Sequence, residues 1–391
     1  MHVRKRQSRE RKPRQSTARV LELLPTEALE KTAQQLGLDK GVRKVFFLAF
    51  LKFILLVLWY GIKKPSLRRM AGKSSNPRYQ HLSGLPEISH TTLARALAKY
   101  PLKVYQELLS HLKMMFRCVD GRFKKFFKQL KWFDTTTVSV SKKLLSWAAN
   151  NGVKNAVRVA LRVDDRTEAI EVVVDGSSNT SDNSIFADLI KSSRLGSLFV
   201  FDSGFTRLQT FLKIEQYGNF FLTAQADIYT VTMSKSWKLP PRPARITDWK
   251  RLEWGAVILG VSTRRGQLDV NRAIFMNVKT GEKLTLITNH RGLGPWRMLE
   301  LYHRRWRIEV TFRWLKSEFN LSYFPACSEQ GVWAWIYLNL LAYFLLRYRE
   351  AMTEGLTSWQ GWSCRDALIR LQNSLDYQYR EELLSRAIGV S

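Results

Sequence analysis

A chain of 391 residues with 63 lysines and arginines against 33 acids carries a formal net charge of +30. A charge this one-sided repels itself unless a polyanion neutralises it, which excludes an indifferent surface and favours nucleic acid, with an anionic membrane as the second candidate. Aromatic residues at 12%, with 13 tryptophans, exclude a disordered polymer, and the length suits about two to four domains.

Residues 1–20, MHVRKRQSRERKPRQSTARV, predict a basic disordered arm, either a solvated tail or a segment that grasps DNA. No apolar stretch follows within reach of a secretory signal, so a cytoplasmic protein is expected. Residues 21–128 read as a helical N-terminal DNA-binding region. Its pieces are ELLPTEALEKTAQQLG, the apolar run VFFLAFLKFILLVLWYG at 45–61, and ISHTTLARALAKYPLKVYQELLSHLKMMF. The run at 45–61 rivals a membrane span, but it is slightly short and carries Lys52 in its middle, where a charge is costly in lipid. It reads as a buried core helix. Ser89 is the expected N-cap of the helix that follows. A helix-turn-helix reader and a plain bundle are equally compatible with this region.

The pattern changes at Lys131. KWFDTTTVSV, AVRVALRV and AIEVVVDG have the short β-branched runs of strands. SDNSIFADLIKSS reads as a helix starting near Ser181 or Asp182. SLFVFDSGF reads as a strand ending in a turn, TRLQTFLKIEQYG as a helix and NFFLTAQA as a strand. The alternation predicts an α/β fold with a mixed sheet, a catalytic core over 129–328. Within it, residues 228–288 look like a β-rich insertion, with AVILGVS, RAIFMNV and KLTLITN as strands and KTGEK as a turn. A long helix is expected from Pro295 to about Phe319. Residues 329–391 predict a helical C-terminal region. The three cysteines, Cys118, Cys327 and Cys364, are far apart and odd in number, as for free thiols in a reducing compartment. The six histidines are scattered, so zinc has little support.

Three carboxylates stand out by position. Asp134 ends the apolar start of one strand, Asp202 ends another, and Glu309 lies on the long helix in R-W-R-I-E. A charge at the end of a buried strand is expensive without a partner or a task. Two strand-end aspartates joined by an acid from a packed helix make a cage for Mg²⁺. Two such ions can activate one oxygen and stabilise another at a phosphodiester. Each aspartate taken singly reads better as a turn or cap residue; three acids together on so basic a chain do not. At roughly 100° per residue, Tyr302, Arg305, Glu309 and Lys316 fall within roughly 60° of arc. Leu301, Ile308, Phe312, Leu315 and Phe319 form a separate apolar stripe. The spacing of Arg305 and Glu309 also fits an ordinary surface ion pair.

The run Y-H-R-R-W-R-I-E-V-T-F-R-W-L-K, from Tyr302 to Lys316, reads Y-x2-R-x3-E-x6-K. It resembles the Y-R-E-K signature of the insertion-sequence-four (IS-four) family of bacterial DDE transposases. D-T-T at 134–136 resembles that family's first aspartate motif and D-S-G-F at 202–205 its second; SLRRMA at 66–71 and SEQGV at 328–332 are looser matches. The resemblance covers about residues 40–350. It implies a ribonuclease-H-like mixed-sheet core in which Asp134, Asp202 and Glu309 hold two Mg²⁺ or Mn²⁺ ions. By the same resemblance Tyr302, Arg305, Arg307 and Lys316 hold DNA phosphates. The long interval between Asp202 and Glu309 suits members with a β-rich domain inserted there. Some members form a hairpin and flip a base against an aromatic ring, for which Trp237, Trp249, Trp254 and Trp296 are candidates, each also readable as packing. The implied activity is cut-and-paste transposition on double-stranded DNA, at transposon ends and target, by a homodimer on the bacterial nucleoid. A metal-dependent nuclease that cuts without joining, a decayed transposase that only binds DNA, and a membrane-surface protein are the alternatives.

Overall fold

The structure, a computed structural model, describes residues 20–115, 129–139, 156–164, 170–175, 190–191, 193–205, 207–261, 264–325, 328–354 and 363–388. The basic arm, Cys118, Cys327 and most of the helix expected around 181–193 lie outside the described residues.

The N-terminal helices are α1 (Thr26–Gln35), α2 (Phe47–Trp59), α3 (Leu67–Ser74), α4 (Pro77–Ser83), α5 (His90–Lys99) and α6 (Leu102–Met115). Helix α2 is apolar apart from Lys52 and is buried over most of its surface, with Phe47, Phe50, Phe53 and Leu55 fully inaccessible, as expected of a helix without a polar face. The Asp39 carboxylate accepts from its first amide at 2.8 Å. Gly61, at φ +65°, follows the helix in the left-handed conformation that commonly ends one. The run at 45–61 is thus a core helix of 13 residues, too short to span a bilayer. Among the described residues no helix is long and apolar enough to cross a membrane. Ser89 caps α5 as expected, its hydroxyl accepting from the Thr92 amide at 3.2 Å.

Five strands follow: β1 (Gln129–Ser139), β2 (Ala156–Asp164), β3 (Ile170–Asp175), β4 (Ser197–Phe201) and β5 (Phe220–Ala224), with α7 (Leu208–Gln216) joining the last two. Then come β6 (Thr230–Ser236), β7 (Trp249–Val261), β8 (Arg264–Asn277) and β9 (Lys283–Thr288). All belong to one mixed sheet of order β3-β2-β1-β4-β5-β9-β8-β7-β6. The strands β1, β4 and β5 run parallel, and every other neighbouring pair is antiparallel. The strands of the β-rich stretch therefore extend the same sheet, through the pairing of β5 with β9. Strand β4 is buried along its whole length. Leu198 and Val200 face one core, while Phe199 and Phe201 face another beneath α7, as expected of a parallel strand covered on both sides.

The long helix expected from Pro295 is two helices, α8 (Pro295–Arg304) and α9 (Trp306–Ser317), joined at Arg305. The joint is a tightened turn, with the Arg305 amide bonding the Tyr302 carbonyl and the Ile308 amide bonding the Arg305 carbonyl, both at 3.0 Å. The expected apolar stripe survives the break: Leu301, Ile308, Phe312, Leu315 and Phe319 are all buried. Helices α10 (Glu329–Glu354) and α11 (Cys364–Ile388) complete the chain. Helix α10 packs between α2, α5 and α6. The Trp59 indole donates to the Ala342 carbonyl at 3.0 Å, and Gln372 of α11 donates to the Trp59 carbonyl at 2.6 Å. One apolar core consequently runs from Val20 to Leu375 and onto one face of the sheet. The N-terminal helices form part of this joint bundle, in keeping with the bundle alternative for that region.

Candidate active site

Trp132 of β1 and Val200 of β4 are partners in the parallel register. Asp134 and Asp202 each lie two residues further on, at the same level just past the last parallel pair; β4 ends at Phe201, while β1 continues to Ser139 against β2 alone. Period-two alternation puts them on the face of Trp132 and Val200. That face is packed by the helices, and α9 lies against β1. Strand carboxyl ends in open α/β sheets are where ligands bind.

Each aspartate is held by the amide that follows it. Asp134 accepts from the Thr135 amide at 2.8 Å, and Asp202 from the Ser203 amide at 2.7 Å. After Asp202 the chain makes a short 3₁₀ turn, Ser203–Phe205. Phe205 pins it by packing against Phe133 at 4.9 Å between ring centroids. The D-S-G-F motif is thus a strand end, a polar bracket, an open glycine and a core anchor.

Four side chains from α8, the joint and α9 face this pair. The Tyr302 hydroxyl donates to Asp202 Oδ1 at 3.4 Å. The Arg305 guanidinium lies over the Tyr302 ring at 5.3 Å. It pairs with Glu309 Oε1 at 2.6 Å and reaches Asp134 Oδ2 at 4.0 Å. Lys316 Nζ donates to the Thr136 hydroxyl at 2.5 Å. The break at Arg305 leaves the four residues on one side because the turn tightens without reversing the helix.

Charge is concentrated here. Burial pushes the Asp134 carboxyl up to about 6; the Thr135 amide and Arg305 oppose this, and Glu309 and Asp202 add to it. Burial also raises the Tyr302 phenol to about 12. Burial would lower the Arg305 guanidinium, but Tyr302, Asp202, Glu309 and Asp134 together hold it above its ordinary value. Lys316 is lowered by burial, against the pull of Asp134. The donor set of carboxylate oxygens suits a hard divalent cation, and the mutual repulsion felt at Asp134 is what such a cation relieves. Among the described residues no three acidic, histidine or cysteine side chains already close on one point. The Arg305 guanidinium reaches both Asp134 and Glu309.

The other expected residues pack as follows. Arg307 stacks over the Trp132 indole at 5.7 Å. Trp237 packs on Trp254 at 4.8 Å, Trp249 on His303 at 5.3 Å, and Trp296 on Phe275 at 5.6 Å. Trp254 and Trp296 belong to the buried core, and Trp237 and Trp249 are half-buried against it. Trp306, at the start of α9 three residues before Glu309, is 55% accessible and lies beneath Arg313. Thr136 is the contact that sequence reasoning did not single out; its only signal was membership of D-T-T.

The chain belongs to the family described as transposase DDE domain, whose profile matches residues 125–345. It is 22% identical over 337 residues to a probable transposase for insertion sequence element IS5377 of Geobacillus stearothermophilus, covering 86% of this chain and 85% of that one. It is 25% identical over 264 residues to the putative transposase y4zB of Sinorhizobium fredii, covering 65% of this chain and 70% of the relative. A putative transposase for insertion sequence element IS4SA of Synechocystis is 23% identical over 268 residues, 66% of this chain and 70% of the relative.

Proposed function

We propose that this DDE-family transposase binds the ends of its own element, cuts them in a metal-dependent reaction and joins them to target DNA. The observation that carries the reading is the shared register level of Asp134 and Asp202 on adjacent parallel strands, with Glu309 reaching them from α9. The order β3-β2-β1-β4-β5 within the sheet supports a ribonuclease-H-like core, and β6 to β9 are its β-rich extension.

Asp134, Asp202 and Glu309 are the residues that would hold divalent cations, Mg²⁺ or Mn²⁺. A pair of such ions, when bound, supplies Lewis-acid activation of the attacking oxygen and neutralises the leaving one. Arg305 is the resident counter-cation of the ion-free site. With a cation bound, Glu309 would be drawn from this ion pair, and the Arg305 guanidinium would be free to pair with a DNA phosphate. Among the described residues the buried Arg305 Nε has no hydrogen-bond acceptor, which leaves a charged donor for that phosphate. Tyr302 and Lys316 flank it, so the scissile strand is held by a phenol and two cations. The same site hydrolyses the phosphodiester at the element's end and then directs the freed 3′-hydroxyl at target DNA. Two ends are brought together by two copies of the chain, acting on the nucleoid of the bacterial cytoplasm.

The test uses duplexes that carry the element's terminal repeats, a plasmid target and Mg²⁺ or Mn²⁺. The wild type should nick the ends and join their 3′-hydroxyls to the plasmid. Glu309→Gln should abolish both steps while still shifting the end duplex in a gel. A mutant that cuts as well as wild type sinks the assignment, and cutting without joining reduces the protein to a nuclease.

A further inference from the structure

Away from the carboxylates, the segment from Ile62 to Arg78 contains Lys63, Lys64, Arg68, Arg69, Lys73 and Arg78 and no acid. It runs from the end of α2 through α3 into α4 and walls a cleft of about 530 Å³. Lys63, Arg69, Lys73 and Arg78 line this cleft, with Tyr60 and Tyr79 beside them. Arg78 is set from behind by α11: it pairs with Asp376 at 2.9 Å and lies over the rings of Tyr60 and Tyr379, 5.6 Å from each. Asp376 also accepts from the Tyr60 hydroxyl at 2.7 Å. Lys63, Arg69 and Lys73 have no acidic partner among the described residues. The Arg69 guanidinium is steered onto the Lys63 carbonyl at 3.2 Å, and the Lys73 ammonium lies 6.0 Å from the centre of the Tyr79 ring. Like charges gathered without counter-charges repel each other, so the cluster is arranged for an anion that comes from outside.

The cleft is joined to the catalytic helix. Among the described residues, Lys64 (φ 50°) and Asn320 (φ 59°) are the non-glycine residues with positive φ. They touch: the Lys64 amide donates to the Asn320 side-chain carbonyl at 3.3 Å, and the Lys64 ammonium lies over the Tyr323 ring at 5.9 Å. Asn320 closely follows α9, which carries Glu309 and Lys316. Backbone held in the left-handed region at two contacting positions is strain that needs support on both sides. It fixes the basic cleft in a set position relative to the end of α9. No large apolar side chain between residues 60 and 83 is exposed, and binding flat on a membrane relies on buried apolar anchors. A sugar–phosphate backbone asks only for cations and hydrogen-bond donors.

We infer that Lys63, Arg69 and Lys73 form a second DNA contact. It grips the phosphate backbone of the duplex beyond the cleavage site, without reading its sequence, and it is braced by Arg78 and α11. The inference rests on the transposase reading for its partner, but its test does not depend on cleavage. Binding of full-length protein to fluorescent duplexes is followed by anisotropy over a range of KCl concentrations, on the element's end and on an unrelated sequence. With Lys63, Arg69 and Lys73 all changed to Ala, the plot of log affinity against log salt should become shallower by about 2 to 3, since each phosphate left without its cation takes about 0.9 from the slope. The loss should be equal on both duplexes. Single variants should each remove about one unit, so a poorly folded triple variant still leaves a readout, and Lys63→Arg and Lys73→Arg should keep the wild-type slope. Wild-type slope in the alanine variants overturns the cleft and leaves the proposed function standing. A loss confined to the element's end overturns the claim that no sequence is read there. Loss of binding to phosphatidylserine vesicles with the DNA slope unchanged overturns it in favour of a lipid surface. A wild type that binds neither duplex overturns the cleft and the proposed function together.

Discussion

Asp134 shows what the site costs the metal-free protein. Its carboxyl is raised from 3.8 to about 6, first by burial and then by its acidic neighbours. The folded state therefore prefers the protonated form. The contribution to stability is intact below the unfolded pKa of 3.8, and it is lost as pH rises through about 6. At about 1.4 kcal/mol per pKa unit the ionised carboxylate costs up to about 3 kcal/mol at neutral pH. Asp134→Asn should raise the melting temperature of the metal-free protein at about pH 7.5 and give no gain at about pH 3.5. A variant no more stable than wild type at the higher pH contradicts this account. Asp134, Asp202 and Glu309 could be singled out in the sequence only as a set on a strongly basic chain, since each aspartate alone reads as a turn or cap and Glu309 alone as half of a surface ion pair. The tie from Lys316 to Thr136 was not, since a threonine beside an aspartate in a strand gives no sign of a partner so far along the chain. The stacking of Arg307 on Trp132 was hidden for the same reason.

At the scale of elements, strand runs and apolar helices were readable because their periodicities are local. Helix α2 is the clearest case, and its burial sets an expected magnitude. Leu55 is fully inaccessible, so Leu55→Ala should destabilise the protein by about 2 to 5 kcal/mol, the usual cost of a large-to-small change in a packed core. Chemical denaturation checks this, and a loss under about 1 kcal/mol would show that the surroundings collapse into the space. The joint at Arg305 escaped the sequence because no glycine or proline marks it. Its buried guanidinium is drawn to Glu309 and towards Asp134, a tertiary pull acting where only local signals were readable. The position of the β-rich stretch escaped too. Its strands were apparent, but the pairing of Thr223 with Ile287 that joins it to the central sheet is a non-local choice of edge.

At the scale of the molecule, the sequence divides into helical, mixed and helical parts, whereas the structure divides by layers. Helix α10 fills the space between α2, α5 and α6, so the first and last parts share one interior. A chain ended at residue 328 should therefore lack a cooperative melting transition and bind a hydrophobic dye, even though the transposase domain proper is nearly complete. A sharp transition in that fragment would mean the N-terminal helices fold alone. The threading of α10 through the first helices also carries a meaning for biosynthesis. The earliest helices leave the ribosome long before the element that covers their greasy sides has been translated. Until the final sixty or so residues emerge they must be sheltered or kept apart, and a message cut short near its 3′ end yields a product bound for aggregation or proteolysis, with no half-working enzyme.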